Sequence, residues 1–182
     1  MEITHKKSDI ISSYRKALDW IKKNTLAEKG IVVSSRQQLP YLEVTGYLIP
    51  TLIEAGEYNL AEQYAEFLGY MQRPNGSFAG PNGREYIFDS GQALRGLVRA
   101  AVHWERFKPF SKKVADYIVS ALGPNGRWPA MYDDDIPEAV HVFVLPALVE
   151  AANLLKEPRY EETAYQALGF YKKTPDILNK NI

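Results

Sequence analysis

Three short stretches decide how this chain is read: Gly30-Ile31-Val32, Gly76-Ser77-Phe78 and Gly126-Arg127-Trp128. Their glycines lie 46 and 50 residues apart. Each stretch follows an amphipathic segment and precedes a more continuously apolar one. The sequence therefore predicts one hairpin of two helices, repeated three times, with a glycine turn inside each hairpin.

Working outward, the periodicity predicts helices over roughly 9–24, 42–55, 60–72, 89–104, 110–122, 137–155 and 159–172. Ser8 or Asp9 is the expected cap of the first. Asp89 and Gln92 have the spacing of a capping box for the fourth, and Pro137 would stand in the first turn of the sixth. Ile10, Tyr14, Ala17, Leu18 and Ile21 form the apolar face of the first helix. Helices one, three, five and seven carry Lys and Glu on one side. Helices two, four and six are apolar nearly all round, which predicts an inner row covered by the amphipathic four. Pro50-Thr51-Leu52-Ile53-Glu54-Ala55 matches Pro146-Ala147-Leu148-Val149-Glu150-Ala151, with Arg95–Ala100 as the middle copy. Proline at the same place in two copies predicts a shared kink. The expectation is one all-α domain over 1–182, a partial α/α toroid of three αα-hairpin repeats (9–56, 57–105, 106–155), with a seventh capping helix over 159–173.

The spacing Phe67-Leu68, Gln72, Gly76-Ser77-Phe78, and its counterpart Tyr117-Ile118, Leu122, Gly126-Arg127-Trp128, resembles the glutamine–tryptophan repeat of the terpenoid-cyclase and prenyltransferase-like α/α toroids. In that family the glutamine and the aromatic tie an outer helix to the next turn. The resemblance covers roughly residues 10–155. Only the second copy keeps the glutamine and only the third keeps the tryptophan. The architecture is shared with glycoside hydrolases, polysaccharide lyases and sugar epimerases, so it implies a fold and not a reaction. The departures narrow the chemistry. Asp133-Asp134-Asp135 lacks the spacing of a terpenoid-cyclase acid motif. With no cysteine, the chain also lacks the zinc ligands of protein prenyltransferases and lanthionine cyclases. Closed toroids of this kind use five to seven hairpins, so three imply an open end, and exposed apolar surface there implies a homo-oligomer or a partner subunit.

Composition closes other routes. Lys plus Arg and Asp plus Glu are balanced at 22 each. Neither nucleic acid nor an anionic membrane is favoured as a partner. Met1–Asp9 is polar, so a secretory leader is not expected, no apolar run is long enough to span a membrane, and a cytoplasmic location is the default. No metal and no cofactor is expected.

Three long loops should gather at the N-terminal ends of the inner helices, where amide donors and the helix dipoles favour anionic groups. There Arg36, Tyr41, Tyr47, Arg84, Tyr86, Trp128 and Tyr132 are the candidate ligand-binding residues, because aromatic faces with arginines suit a sugar or uronate. Glu43, Asp89, His141 and Asp133 are the acid–base candidates, Glu43 first because Tyr41 and Tyr47 flank it. Plainer roles stand beside these. The aromatics could pack the loops, Glu43, Asp89 and Glu138 could serve their helix dipoles, the aspartate run could be a solvated turn, and His141 could be a satisfied core residue. The functional expectation is a protein that binds or processes a sugar or uronate-containing glycan, as a lyase, hydrolase or epimerase. An isoprenoid binder and a non-catalytic assembly module are the rivals.

Overall fold

The computed structural model describes residues 2–36, 38–129 and 138–173. Its seven α-helices are α1 (Glu2–Lys23), α2 (Leu42–Glu54), α3 (Tyr58–Met71), α4 (Ile87–His103), α5 (Lys108–Ser120), α6 (Leu145–Leu155) and α7 (Pro158–Lys173). Short 3-10 segments run over Glu105–Phe107 and Glu138–Val144. The described residues form no strand, and the fold is all-α, as the periodicity predicts.

The inner row is real. α4 packs between α2 and α6, while α3 lies on α2, α5 on α4 and α7 on α6. One buried apolar core threads the array, from Ile31 and Ile49 through Phe78, Leu94 and Leu97 to Trp128 and Tyr171. Small residues bring the inner helices unusually close. A Cβ on Gly46 of α2 would sit 2.5 Å from the Gln92 carbonyl oxygen, and one on Gly96 of α4 would sit 2.5 Å from the Gly46 carbonyl oxygen. Glycine lets the two backbones touch where any side chain would hold them apart.

The turns repeat, with one offset. Three amides donate the same closing bond: Leu26 N–H to Gly30 O at 3.1 Å, Arg73 N–H to Ser77 O at 3.1 Å, and Gly123 N–H to Arg127 O at 2.9 Å. Gly30 is therefore the counterpart of Ser77 and Arg127, not of Gly76 and Gly126. Ile31, not Val32, takes the buried place of Phe78 and Trp128. Gly76 and Gly126 have φ of +92° and +83°, which only glycine adopts without strain. Gln72 does what the resemblance implies: its Nε2 donates to Gly76 O at 3.2 Å and to Phe110 O at 3.0 Å, tying α3 to its turn and to α5.

Four local expectations are corrected. α1 begins at Glu2 rather than at a Ser8 or Asp9 cap, since no Gly or Pro interrupts the polar start. Its apolar face is mostly solvent-facing: Ile10 and Tyr14 are exposed, and only Leu18 and Ile21 are partly buried. α4 begins at Ile87, with Tyr86 as an N-cap that makes no side-chain bond, so Asp89 is inside the helix and no capping box forms. The sixth helical segment is split. Its first half, Glu138–Val144, is 3-10, and the α-helix starts at Leu145, with Pro137 outside the described residues. Pro146 thus stands in a first turn, where no amide donor is required, whereas Pro50 lies inside α2. The two prolines share a sequence position but not a kink.

Candidate active site

The first and second loops meet over the starts of α2 and α4. Tyr41 N–H donates to Ile31 O at 2.9 Å, so the chain between them leaves and returns as a flap carrying Leu39 and Pro40. The second loop folds on itself through Gly80 N–H to Arg84 O at 2.8 Å. Between them opens a hollow of about 340 Å³ whose walls include Pro40, Tyr41, Met71, Arg73, Gly80 and Asp89. The described part of the third loop does not join it. Asn125, Arg127 and Pro129 border a separate, shallower hollow. The convergence of three loops is thus seen for two of them.

One carboxylate, Asp89, lines this hollow, and a second, Glu43, lies close enough for its charge to act on it. Glu43 is in the first turn of α2 and Asp89 in the first turn of α4. They approach because the Gly46–Gly96 crossing, about one turn beyond Glu43 and two beyond Asp89, holds the two helix starts together. Asp89 is 1% exposed, and its Oδ1 has no hydrogen-bond partner among the described residues. Burial, and then the neighbouring Glu43 charge, push its carboxyl up from 3.8 to about 7. Burial also raises Glu43. Tyr47 is raised by burial and by Glu43 beside it. Helix starts normally favour the ionised form by ~0.3–1 kcal/mol. Burial works against the ionised form at both residues, and the Glu43 charge adds to it at Asp89. Gly80 makes room for the arrangement, since a Cβ there would lie 2.8 Å from the Tyr86 ring and 3.0 Å from Asp89 Oδ2.

One positive group in the pocket was not foreseen. Arg73 bonds Glu85 at 2.9 Å and Gly83 O at 2.8 Å, and this pairing holds the Glu85 carboxyl below the usual range. Its position directly after Gln72 of the repeat motif was the available signal.

The other expected residues scatter. Tyr41 lines the hollow and Tyr47 flanks Glu43, while Arg36 and Arg84 are exposed on the two loops. Tyr86 is buried, accepting a hydrogen bond from Asn82 at 2.6 Å. Trp128 and His141 belong to the core. The Trp128 indole N–H donates to Ile118 O at 2.9 Å and its ring stacks on Tyr171, while His141 Nδ1 pairs with the Tyr171 hydroxyl at 2.9 Å. Trp128 is buried at the floor of the shallow third-loop hollow, and His141 is fully buried among aromatics. Tyr132 and Asp133 lie outside the described residues. Among the described residues, no group of three or more His, Asp or Glu side chains is arranged to hold a metal, and no helix is long and apolar enough to cross a membrane.

No protein-family profile and no curated protein matches the chain. Among solved structures, one described as a novel α-amylase from Clostridium perfringens is similar, with a TM-score of 0.62 at 14% identity. The match covers 84% of this chain and 51% of that one, so the chain spans about half the length of the protein it resembles. The likeness is one of fold.

Proposed function

We propose that the protein is carbohydrate-active, taking a sugar or uronate-bearing glycan into the hollow between the first two loops, with Asp89 as proton donor and Glu43 as base. The observation that carries this is the Asp89 carboxyl, pushed to about 7 beside a second carboxylate in an open pocket. With its carboxyl pushed up to about 7, Asp89 can hold a proton near neutral pH, and a protonated carboxyl beside a second one is what acid–base work on a glycosidic bond requires. In a hydrolase Asp89 would protonate the departing sugar oxygen and Glu43 would take a proton from water. In a lyase Glu43 would remove the C5 proton beside a uronate carboxylate, a C4–C5 double bond would form as the C4–O bond breaks, and Asp89 would protonate the departing oxygen. Arg73 would neutralise that carboxylate, and Tyr41 supplies an apolar face. The α-amylase of similar fold adds support at the level of architecture. The lining is mostly apolar, but Arg73 and Asp89 stand in it, and these two charged groups favour this reading over an isoprenoid binder, which would want a deep uncharged cavity.

The test is a thermal-shift screen with uronate oligosaccharides, neutral gluco-oligosaccharides and isoprenoid diphosphates, because selective binding raises the melting temperature. Oligosaccharide alone should shift it. Asp89→Asn and Glu43→Gln should keep binding and lose turnover by about 10²-fold or more. A shift with the diphosphates alone overturns the glycan reading.

A second reading, assembly through an open end, has its own observation: Ile10, Ile11, Tyr14 and Trp20 of α1 are exposed together. Sedimentation equilibrium should then show a larger species that Trp20→Glu disperses, and a monomer at all concentrations ends this reading.

A further inference from the structure

We infer that the acid pocket is the inner part of a longer trough, and that Tyr70 is a platform for a sugar unit held away from the carboxylates, so that the ligand is an oligosaccharide or polysaccharide rather than a single sugar. This rests on the glycan reading and extends it. A second hollow, of about 550 Å³, adjoins the first, and Pro40 and Met71 wall both. Its other walls include Phe67 and Tyr70 near the end of α3 and Glu28 and Lys29 of the first turn. The two hollows therefore lie on either side of one ridge, formed by Pro40 and Met71.

The chemistry of the second hollow suits a sugar. Phe67 is buried, whereas Tyr70, one helical turn on, is 85% exposed and contributes nothing to the core. An exposed aromatic ring beside Met71 and Pro40 offers a flat apolar surface to the C–H face of a pyranose, the stacking that aromatic side chains supply at low entropic cost. Glu28 and Lys29 make no ion pair among the described residues. Their charged ends are left to bond sugar hydroxyls. The wall is also preset. Glu28 is held at φ +56°, an uncommon conformation for a side chain of its kind. Lys29 N–H donates to Leu26 O at 3.0 Å, and Gln63 Nε2 from α3 pins Lys29 O at 2.9 Å. A wall fixed before binding loses little freedom when the ligand arrives.

The experiment measures affinity by calorimetry for three homologous series, α-1,4-linked glucose, β-1,4-linked glucose and 1,4-linked uronate, each as the di-, tetra- and hexasaccharide. Wild-type protein should bind the hexasaccharide of at least one series about ten-fold or more tighter than the disaccharide. Tyr70→Ala should erase that advantage while leaving disaccharide affinity unchanged, and Tyr70→Trp should keep it. An exposed position makes misfolding of these variants a minor concern, and an unchanged melting temperature would establish that. Equal affinity for all lengths, or a length advantage that survives in Tyr70→Ala, overturns the platform and leaves the glycan reading standing. Silence of the wild type to all three series overturns both.

Discussion

At the residue scale the account turns on Asp89. Its carboxyl ionises near 3.8 when free and near 7 in the fold. The folded protein therefore holds a proton that the unfolded chain releases. This contribution to stability is fully present below about pH 4 and is lost as the pH rises towards 7, on the order of 4 kcal/mol across that window. Urea unfolding should show the decline. Asp89→Asn should flatten it and be more stable than the wild type at pH 8, with the advantage shrinking towards pH 4. A wild-type curve that is level between pH 4 and 7 would remove the buried acid. Both carboxylates were legible in the sequence, because each follows a loop and opens an apolar helix. Their partnership was not, since it depends on how closely two helices cross. Trp128 and His141 have residue types that suit a ligand site, but each packs against Tyr171 of α7 and is buried there. Tyr70 and Arg73 carried no periodic signal of their own, because both fall where a helix runs out into its turn.

At the element scale, glycine governs the contact between α2 and α4. Alanine inside a helix is ordinarily preferred to glycine by about 0.8–1.0 kcal/mol. At Gly46 the added Cβ would lie 2.5 Å from a backbone carbonyl that cannot swing aside. Overpacking of this kind costs roughly 1–3 kcal/mol and should win. Gly46→Ala should lower the melting temperature by about 2–4 °C for each kcal/mol. It should also cut turnover, because the two helix starts spread and carry Glu43 away from Asp89. A more stable or fully active variant would mean that the crossing does not set the pair. The helices themselves were legible from periodicity, with most ends within a few residues of those observed. The failures came where packing overrode a local signal. Ile87 goes into the core and starts α4 ahead of the apparent capping box. In the third repeat, the α-helix restarts one residue before Pro146, leaving a 3-10 segment upstream.

At the scale of the whole molecule the array has a direction. Each of α3, α5 and α7 lies against the inner helix that precedes it in the chain, and α1 has none. This accounts for the exposed face that sequence periodicity assigned to the core. Ile10 is 69% exposed, so Ile10→Ala should change stability by no more than about 0.5 kcal/mol. Leu68, fully buried on α3, should cost about 2–5 kcal/mol as Leu68→Ala. Chemical denaturation of the pair checks the direction of the array, and equal losses would mean that α1 is as firmly packed as α3. The repeat architecture was visible in the three turns, although the first was legible only to within one residue. Glu28 there takes a positive φ without a glycine, and the neighbouring Gly30 imitates the motif. The central claim spans all three scales: repeated hairpins, drawn together at a glycine crossing, bury one carboxyl beside another. A carbon-13 carboxyl NMR titration of Asp89, in the wild type and in Glu43→Gln, tests it most directly. The account predicts a midpoint near 7 that moves down when Glu43 is neutralised. A midpoint in the ordinary carboxylate range, near 4, or one indifferent to Glu43, would contradict it.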